Sequence, residues 1–82
     1  MASSLVVISQ DYEIVEKKRF SDEESAKAGL VERFNKERSA MLENEENIIE
    51  DDILFDGLSA RLFYEDNDEV LGYAMYLTYS HH

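Results

Sequence analysis

The residues best suited to proton transfer lie at the C-terminus, where His81 and His82 are the only histidines of the chain. A histidine beside a reacting amine can remove the amine proton during group transfer. Two adjacent histidines at a chain end are, however, more often a flexible tail than a catalytic pair. The chain also has no cysteine nucleophile and no Ser-His-Asp arrangement with supporting glycines. We therefore assign no catalytic residue.

Acidic side chains are the other candidates for a functional site, since carboxylates bind divalent cations. Glu50, Asp51, Asp52 and Asp56 lie close together, but their spacing is not that of a calcium loop. The run Asp66-Asn67-Asp68 begins like such a loop but lacks its central glycine and its terminal glutamate. We interpret that run as a hairpin turn and predict no metal site.

The charge balance limits the classes of partner. The chain has 19 acidic and 8 basic residues and a net charge of −11. Direct nucleic-acid binding is not expected, because it needs clustered cations. Attraction of cationic ligands, imitation of a polyanion and simple solubility all remain open. No apolar run is long enough to span a membrane or serve as a signal peptide, and cysteine is absent, so we expect a cytoplasmic protein.

The elements that would carry these residues form one domain over residues 1–82, of the α+β class. The predicted order is β-α-α-β-β, an antiparallel sheet with two helices. Leu5 to Ile8 is either the start of the first strand or a separate short strand. Ser21-Asp22-Glu23-Glu24 is predicted to cap the first helix. The predicted elements are a strand at 12–20, a helix at 22–42, a helix at 47–55, a strand at 60–64 and a strand at 70–79.

The last strand, Val70 to Tyr79, has no charged residue on either face. Such a strand is typical of the interior of a sheet, covered on both sides. An unpaired apolar edge strand would be prone to aggregation. We therefore expect a homodimer, or a complementary chain, that associates through this strand.

The segment Glu65-Asp66-Asn67-Asp68-Glu69-Val70-Leu71-Gly72-Tyr73-Ala74-Met75-Tyr76-Leu77-Thr78-Tyr79-Ser80 carries a family resemblance. It resembles the second and third strands of GNAT-type N-acetyltransferases, where an acidic turn precedes a strand of the type (V/I)-(V/L)-G-(F/Y)-A. The residues that follow Gly72 are most similar to the corresponding segment of the diamine (spermidine/spermine-type) acetyltransferases. The resemblance implies the first half of the acyl-CoA N-acyltransferase fold.

The same resemblance implies which functional parts are present. Family members bind acetyl-CoA with a later glycine-rich turn, whereas Gly29, Gly57 and Gly72 are widely separated here. No cofactor site is therefore expected in this chain, although the complete family domain binds acetyl-CoA. Positions that contact the polyamine in the diamine branch correspond to Tyr79, Ser80 and His82, which become the implied substrate-binding residues. Ser80 and His82 replace an acid and an aromatic of that branch.

Two functions from different classes follow from the sequence. The first is an acetyltransferase-like fragment or subunit that lacks the acetyl-CoA pyrophosphate loop and assembles through its last strand. The alternative is a small acidic binding or inhibitor protein, of the phage or DNA-mimic type, that acts on a basic partner.

Overall fold

A computed structural model describes residues 2–79 as a five-stranded antiparallel sheet with one α-helix. The predicted α+β class with an antiparallel sheet is confirmed. The sheet order is β2-β1-β5-β4-β3. The elements are β1 (Ser3–Ser9), β2 (Ile14–Phe20), α1 (Glu23–Glu43), β3 (Asn47–Leu54), β4 (Ser59–Asp66) and β5 (Glu69–Tyr79), with a short 3-10 turn at Phe55–Gly57.

The predicted β-α-α-β-β order with two helices is wrong, because the segment assigned to the second helix forms strand β3. The pairs Ile48-Ile49 and Ile53-Leu54 have a spacing that fits a helical stripe. In the structure, the register of β3 against β4 shifts between Ile48 and Glu50. This bulge interrupts the two-residue alternation of the strand, and the interrupted alternation imitates a helical pattern.

Helix α1 begins where its sequence offers a side-chain cap. The cap is Asp22 and not the predicted Ser21: the Asp22 Oδ1 accepts a hydrogen bond from the Ser25 amide at 2.7 Å. This bond lowers the pKa of Asp22. Glu23 and Glu24 add negative charge to the first turn, which the helix dipole favours. Among residues 2–79 no helix has both the length and the apolar character needed to cross a membrane.

One face of the sheet packs against α1 and contains the core. Side chains that lie opposite each other in an antiparallel pair share a face, so the register assigns every strand residue to one side. Met75 of β5 is opposite Val7 of β1 and Ala60 of β4, and all three are buried beneath the helix. The helix contributes Leu30, Phe34 and Met41 to this cluster.

Strand β5 is the central strand of the sheet, as predicted, but only one of its two faces has the predicted cover. Its two backbone edges pair with β1 and β4, so the second neighbour that the sequence assigned to a partner chain is β1 of the same chain. The odd-numbered residues of β5 face the helix. The even-numbered residues face the other side of the sheet, which no described element covers.

Candidate functional site

Three connections between elements meet at one end of the sheet. The β1–β2 turn follows Ser9, which is opposite Tyr73 near the start of β5. The β4–β5 turn joins Asp66 to Glu69, and the α1–β3 connection enters β3 at Asn47, opposite Glu65. These segments hold nine acidic and no basic residues, and we call them the acidic end: Asp11, Glu13, Glu43, Glu45, Glu46, Glu65, Asp66, Asp68 and Glu69.

None of these nine acids forms an ion pair with any residue in the described range 2–79. The ion pairs of the described chain lie elsewhere, for example Arg38 with Asp51 at 2.9 Å and Arg33 with Glu37 at 3.1 Å. The acidic end is therefore a concentration of negative charge that the fold itself does not neutralise.

Helix α1 ends at this acidic end in a Schellman motif. The Glu46 amide donates to the Met41 carbonyl at 2.9 Å, and the Glu45 amide donates to the Leu42 carbonyl at 3.1 Å. Glu45 occupies the left-handed position of the motif with φ 56°, a place usually taken by glycine. The last turn of the helix has no basic residue, although the helix dipole favours cations there. The local sequence thus places acids where they reduce helix stability.

A cleft of about 390 Å³ opens between the C-terminal part of α1 and the sheet at this end. Apolar side chains, including Met41 and Leu71, form part of its wall. Its polar walls come from five elements or connections and include Gln10, Glu37, Asn44, Glu46, Tyr64 and Tyr73.

Gln10 and Gly72 give the cleft its inner wall. Strand β1 stops pairing with β5 at Ser9, and the Gly72 amide donates instead to the Gln10 side-chain oxygen at 3.2 Å. A Cβ at Gly72 would lie 2.1 Å from the Leu62 carbonyl oxygen, and its φ is +146°. Strands β4 and β5 therefore approach each other at Gly72 too closely to leave room for a side chain.

The negative charge of the cleft affects the ionisation of Tyr64. Its pKa is raised, first by burial and then by the charge of Glu46, with smaller effects of Tyr73 and Asp66. The raised pKa of Tyr64 thus reflects both its partial burial and the negative charge around it. A cleft with carboxylates and aromatic side chains can hold a cationic group such as an ammonium or guanidinium.

An exposed aromatic side chain lies in the β1–β2 turn of the acidic end and lines a separate depression on the sheet face opposite α1. Tyr12 is 85% exposed and is flanked in the β1–β2 turn by Asp11 and Glu13. Its backbone is left-handed, with φ 63°, which is uncommon for a bulky residue. Strained backbone of this kind is often found at functional sites.

Of the sequence-predicted substrate residues the structure describes only Tyr79, and Tyr79 does not line this cleft. The Tyr79 hydroxyl donates to Glu23 Oε1 at 3.0 Å, at the end of the sheet where α1 begins, and this bond raises its pKa. Ser80 and His82 lie outside the described residues. Sequence reasoning missed Gln10, Glu46 and Tyr64. The sequence did contain one signal for this site: three turn segments have no basic residue. Recognising it required the correct topology, which places these segments at the same end of the sheet.

The only α-helix of the described chain is poorly suited to the pyrophosphate of acetyl-CoA. Such a group binds at a helix N-terminus through free amides and a glycine-rich turn. Here the N-terminus of α1 is capped by Asp22 and followed by Glu23 and Glu24, which repel an anion. No described residues form a group of three or more ligands suited to a metal ion.

Comparisons with known proteins identify no relative. No family model, curated protein or solved structure matches this chain. The acetyltransferase resemblance therefore stays a prediction, and function has to be argued from the geometry.

Proposed function

We propose that this chain is a small binding protein that engages a basic surface of a partner protein through its acidic end. The proposal depends on one observation: nine acids at one end of the sheet, none of them in an ion pair with a described residue. A partner with clustered lysine and arginine side chains would supply the missing counter-charges. Such complementarity accelerates association and selects the partner.

Folding alone does not account for this arrangement. Like charges repel one another, and Glu43, Glu45 and Glu46 oppose the dipole at the C-terminus of α1. Each such placement costs a few tenths of a kcal/mol to about 1 kcal/mol. A function that uses the charge would account for its concentration at this end.

The cleft allows a specific contact with the partner, in addition to the long-range electrostatic attraction of the acidic end. Its volume of about 390 Å³ falls within the usual range for ligand pockets. We infer that one basic side chain of the partner enters it, with the ammonium or guanidinium near Glu46 and the aromatic rings of Tyr64 and Tyr73. The exposed Tyr12 ring adds an aromatic contact of the kind that is enriched in interface hot spots.

Titration with a fluorescent lysine- and arginine-rich peptide tests the proposal. We expect saturable binding that weakens as salt increases from about 0.05 to 0.3 M, because exposed charges are screened. The variant Glu46→Gln/Asp66→Asn/Asp68→Asn should lower the affinity at least about tenfold, since each lost charge pair contributes roughly 0.5–1 kcal/mol.

A second triple variant separates position from total charge. Glu24→Gln/Glu32→Gln/Asp56→Asn changes the net charge by the same amount but lies outside the acidic end. We expect its affinity to stay within about threefold of the original protein. Equal losses in the two variants would show that the peptide reports overall charge, and the proposal would then be wrong.

An acetyltransferase-like subunit is the second candidate. It is supported by the sequence motif Val70-Leu71-Gly72-Tyr73-Ala74 and by the β4–β5 hairpin that contains this motif. The single helix and the acidic first turn of α1 weaken it. Calorimetric titration with acetyl-CoA tests this candidate in one direction: a saturable signal would favour the acetyltransferase, whereas the absence of heat, which we expect, agrees with both candidates because the subunit lacks the glycine-rich turn. A cytoplasmic location, which the lack of cysteine suits, belongs to either candidate.

A further inference from the structure

The face of the sheet opposite α1 is uncovered over all five strands. The register places its residues in cross-strand rows. One row runs Ile14, Ile8, Ala74, Arg61 and Asp52, and the next runs Lys17, Val6, Tyr76, Ser59 and Leu54. No described element packs on these rows, and we call this surface the open face.

The centre of the open face is apolar. Val70 is 49% exposed and Tyr76 is 37% exposed on β5, and Ile14 is 64% exposed on β2. A shallow depression of about 370 Å³ is lined by Val70, Ile8, Phe63 and Ala74 and by residues of the β1–β2 turn, including Tyr12. Contiguous exposed apolar surface with a charged border is typical of an interaction site.

The two borders of the open face carry opposite charges. On the β2 side, Lys17 and Arg19 are exposed and form no ion pair with a described residue. On the β3 side, Glu50 and Asp52 lie on the same face of the sheet, and Arg61 of β4 is 3.6 Å from Glu50. The β2 border is thus positive, and the β3 border has an excess of acid over base.

We propose that the open face binds the open face of a second copy of this chain, with a two-fold axis parallel to β5. Rotation about this axis turns the second sheet over, so that its strands follow in the opposite order across the interface. Each residue keeps its position along the strand direction. Border β2 of each copy then lies against border β3 of the other. Lys17 comes within one row of Asp52 of the second copy, and this complementary contact occurs twice in the dimer.

The direction of the axis follows from the charges. A two-fold axis perpendicular to the strands would place the β2 borders against each other and the β3 borders against each other. Like-charged borders would then meet on both sides of the interface, which is unfavourable. The axis along β5 also brings the two acidic ends to the same end of the dimer. At a sheet spacing of about 10 Å their repulsion is only partly screened by salt, so it opposes the dimer, and neutralising acids of the acidic end should strengthen self-association.

The open face is large enough for a stable dimer. Five strands about 4.8 Å apart and seven residues long at about 3.3 Å each cover roughly 550 Å² per copy. Two copies would bury roughly 1,100 Å², above the minimum of about 1,000 Å² for a specific interface. Sheets that pack face to face in this way lie about 10 Å apart.

Light scattering after size exclusion and sedimentation equilibrium test the dimer. At about 0.15 M salt the original chain is expected to have twice the monomer mass. Lys17→Glu/Arg19→Glu gives two acidic borders, and Glu50→Lys/Asp52→Lys gives two basic borders. Each variant alone should raise the dimer dissociation constant at least about tenfold. A mixture of the two variants should form a heterodimer, because every acidic border then faces a basic one.

Two further variants keep the test independent of folding and of net charge. Lys27→Glu/Lys36→Glu makes the same charge change on α1 and should stay dimeric. Tyr76→Glu places two carboxylates close together near the axis and should give a folded monomer, as checked by circular dichroism. The proposal is overturned by an original chain that stays monomeric at high micromolar concentration. It is also overturned by a dimer that Tyr76→Glu leaves intact, or by mixed variants that fail to associate.

Discussion

Single residues in left-handed backbone mark several of the turns of this protein. Asn67 and Asp68 form the two-residue β4–β5 turn with φ 51° and 67°, the conformation that favours asparagine and aspartate. The sequence predicted this turn from the residue types alone. Glu45 and Tyr12 adopt the same conformation without that preference, and both lie at the acidic end.

Replacing Glu45 with glycine should stabilise the protein. Glycine enters the left-handed position of the Schellman motif without the Cβ penalty, so we expect the free energy of unfolding to rise by about 1 kcal/mol. Urea denaturation measures it. The same substitution at Glu43, inside the helix, should instead lower stability by roughly 1 kcal/mol. A loss of stability in Glu45→Gly would show that the helix end is described incorrectly.

The titration of Tyr64 should report the charge of the cleft. Because its pKa is raised in the folded state, the unfolded chain ionises first, near the usual value of 10.0. Stability that is present below that pH is then lost as the pH rises above it. Glu46→Gln should lower the pKa of Tyr64, as followed by NMR of labelled tyrosine. An unchanged pKa of Tyr64 would contradict the placement of Glu46 beside it. Glu32→Gln is the matched control and should leave the pKa of Tyr64 unchanged.

The elements show where the sequence was sufficient and where it was not. Helix α1 and the β4–β5 hairpin were predicted, because a long amphipathic stripe and an acidic turn are strong local signals. Strand β3 was missed because the bulge at Ile49 hides its alternation and no local signal shows that Asp51 pairs with Arg38 of α1. The pairing of β1 with β5 joins distant parts of the chain, and local patterns do not reveal it.

The candidate site was missed for the same reason. Gln10, Glu46 and Tyr64 meet only because β1 lies next to β5 and the C-terminus of α1 lies above β4. Tyr79, which the resemblance suggested, is held by Glu23 at the other end of the sheet. A site assembled from turns depends on topology, so the incorrect element order concealed it.

At the level of elements, Gly72 should be the least replaceable glycine. Gly72→Ala brings the new Cβ 2.1 Å from the Leu62 carbonyl of β4, so the central β4–β5 pairing must shift. We expect a loss on the order of 2–3 kcal/mol in urea denaturation. Gly57→Ala is the control, since its φ is also positive but its nearest neighbour, Lys27, is 3.7 Å away. Equal losses would mean that backbone conformation alone matters at Gly72.

The whole molecule separates its surfaces by charge and polarity. One face of the sheet is buried by α1, the open face is apolar with oppositely charged borders, and the acidic end lies where three connections meet. The net charge of −11 is therefore not evenly spread over these surfaces. The two proposed contacts share the β1–β2 turn, since Asp11 and Tyr12 also line the depression on the open face, so substitutions in that turn should affect both.

Amide NMR of the isotope-labelled protein, recorded while the lysine- and arginine-rich peptide is added, tests the central claim most directly. We predict that the largest chemical-shift changes fall in the β1–β2 turn, the α1–β3 connection and the β4–β5 turn, with the Gly72 amide among them. Changes confined to the open face, the outer surface of α1 or the Phe55–Gly57 turn would contradict the account, as would no saturable change at all.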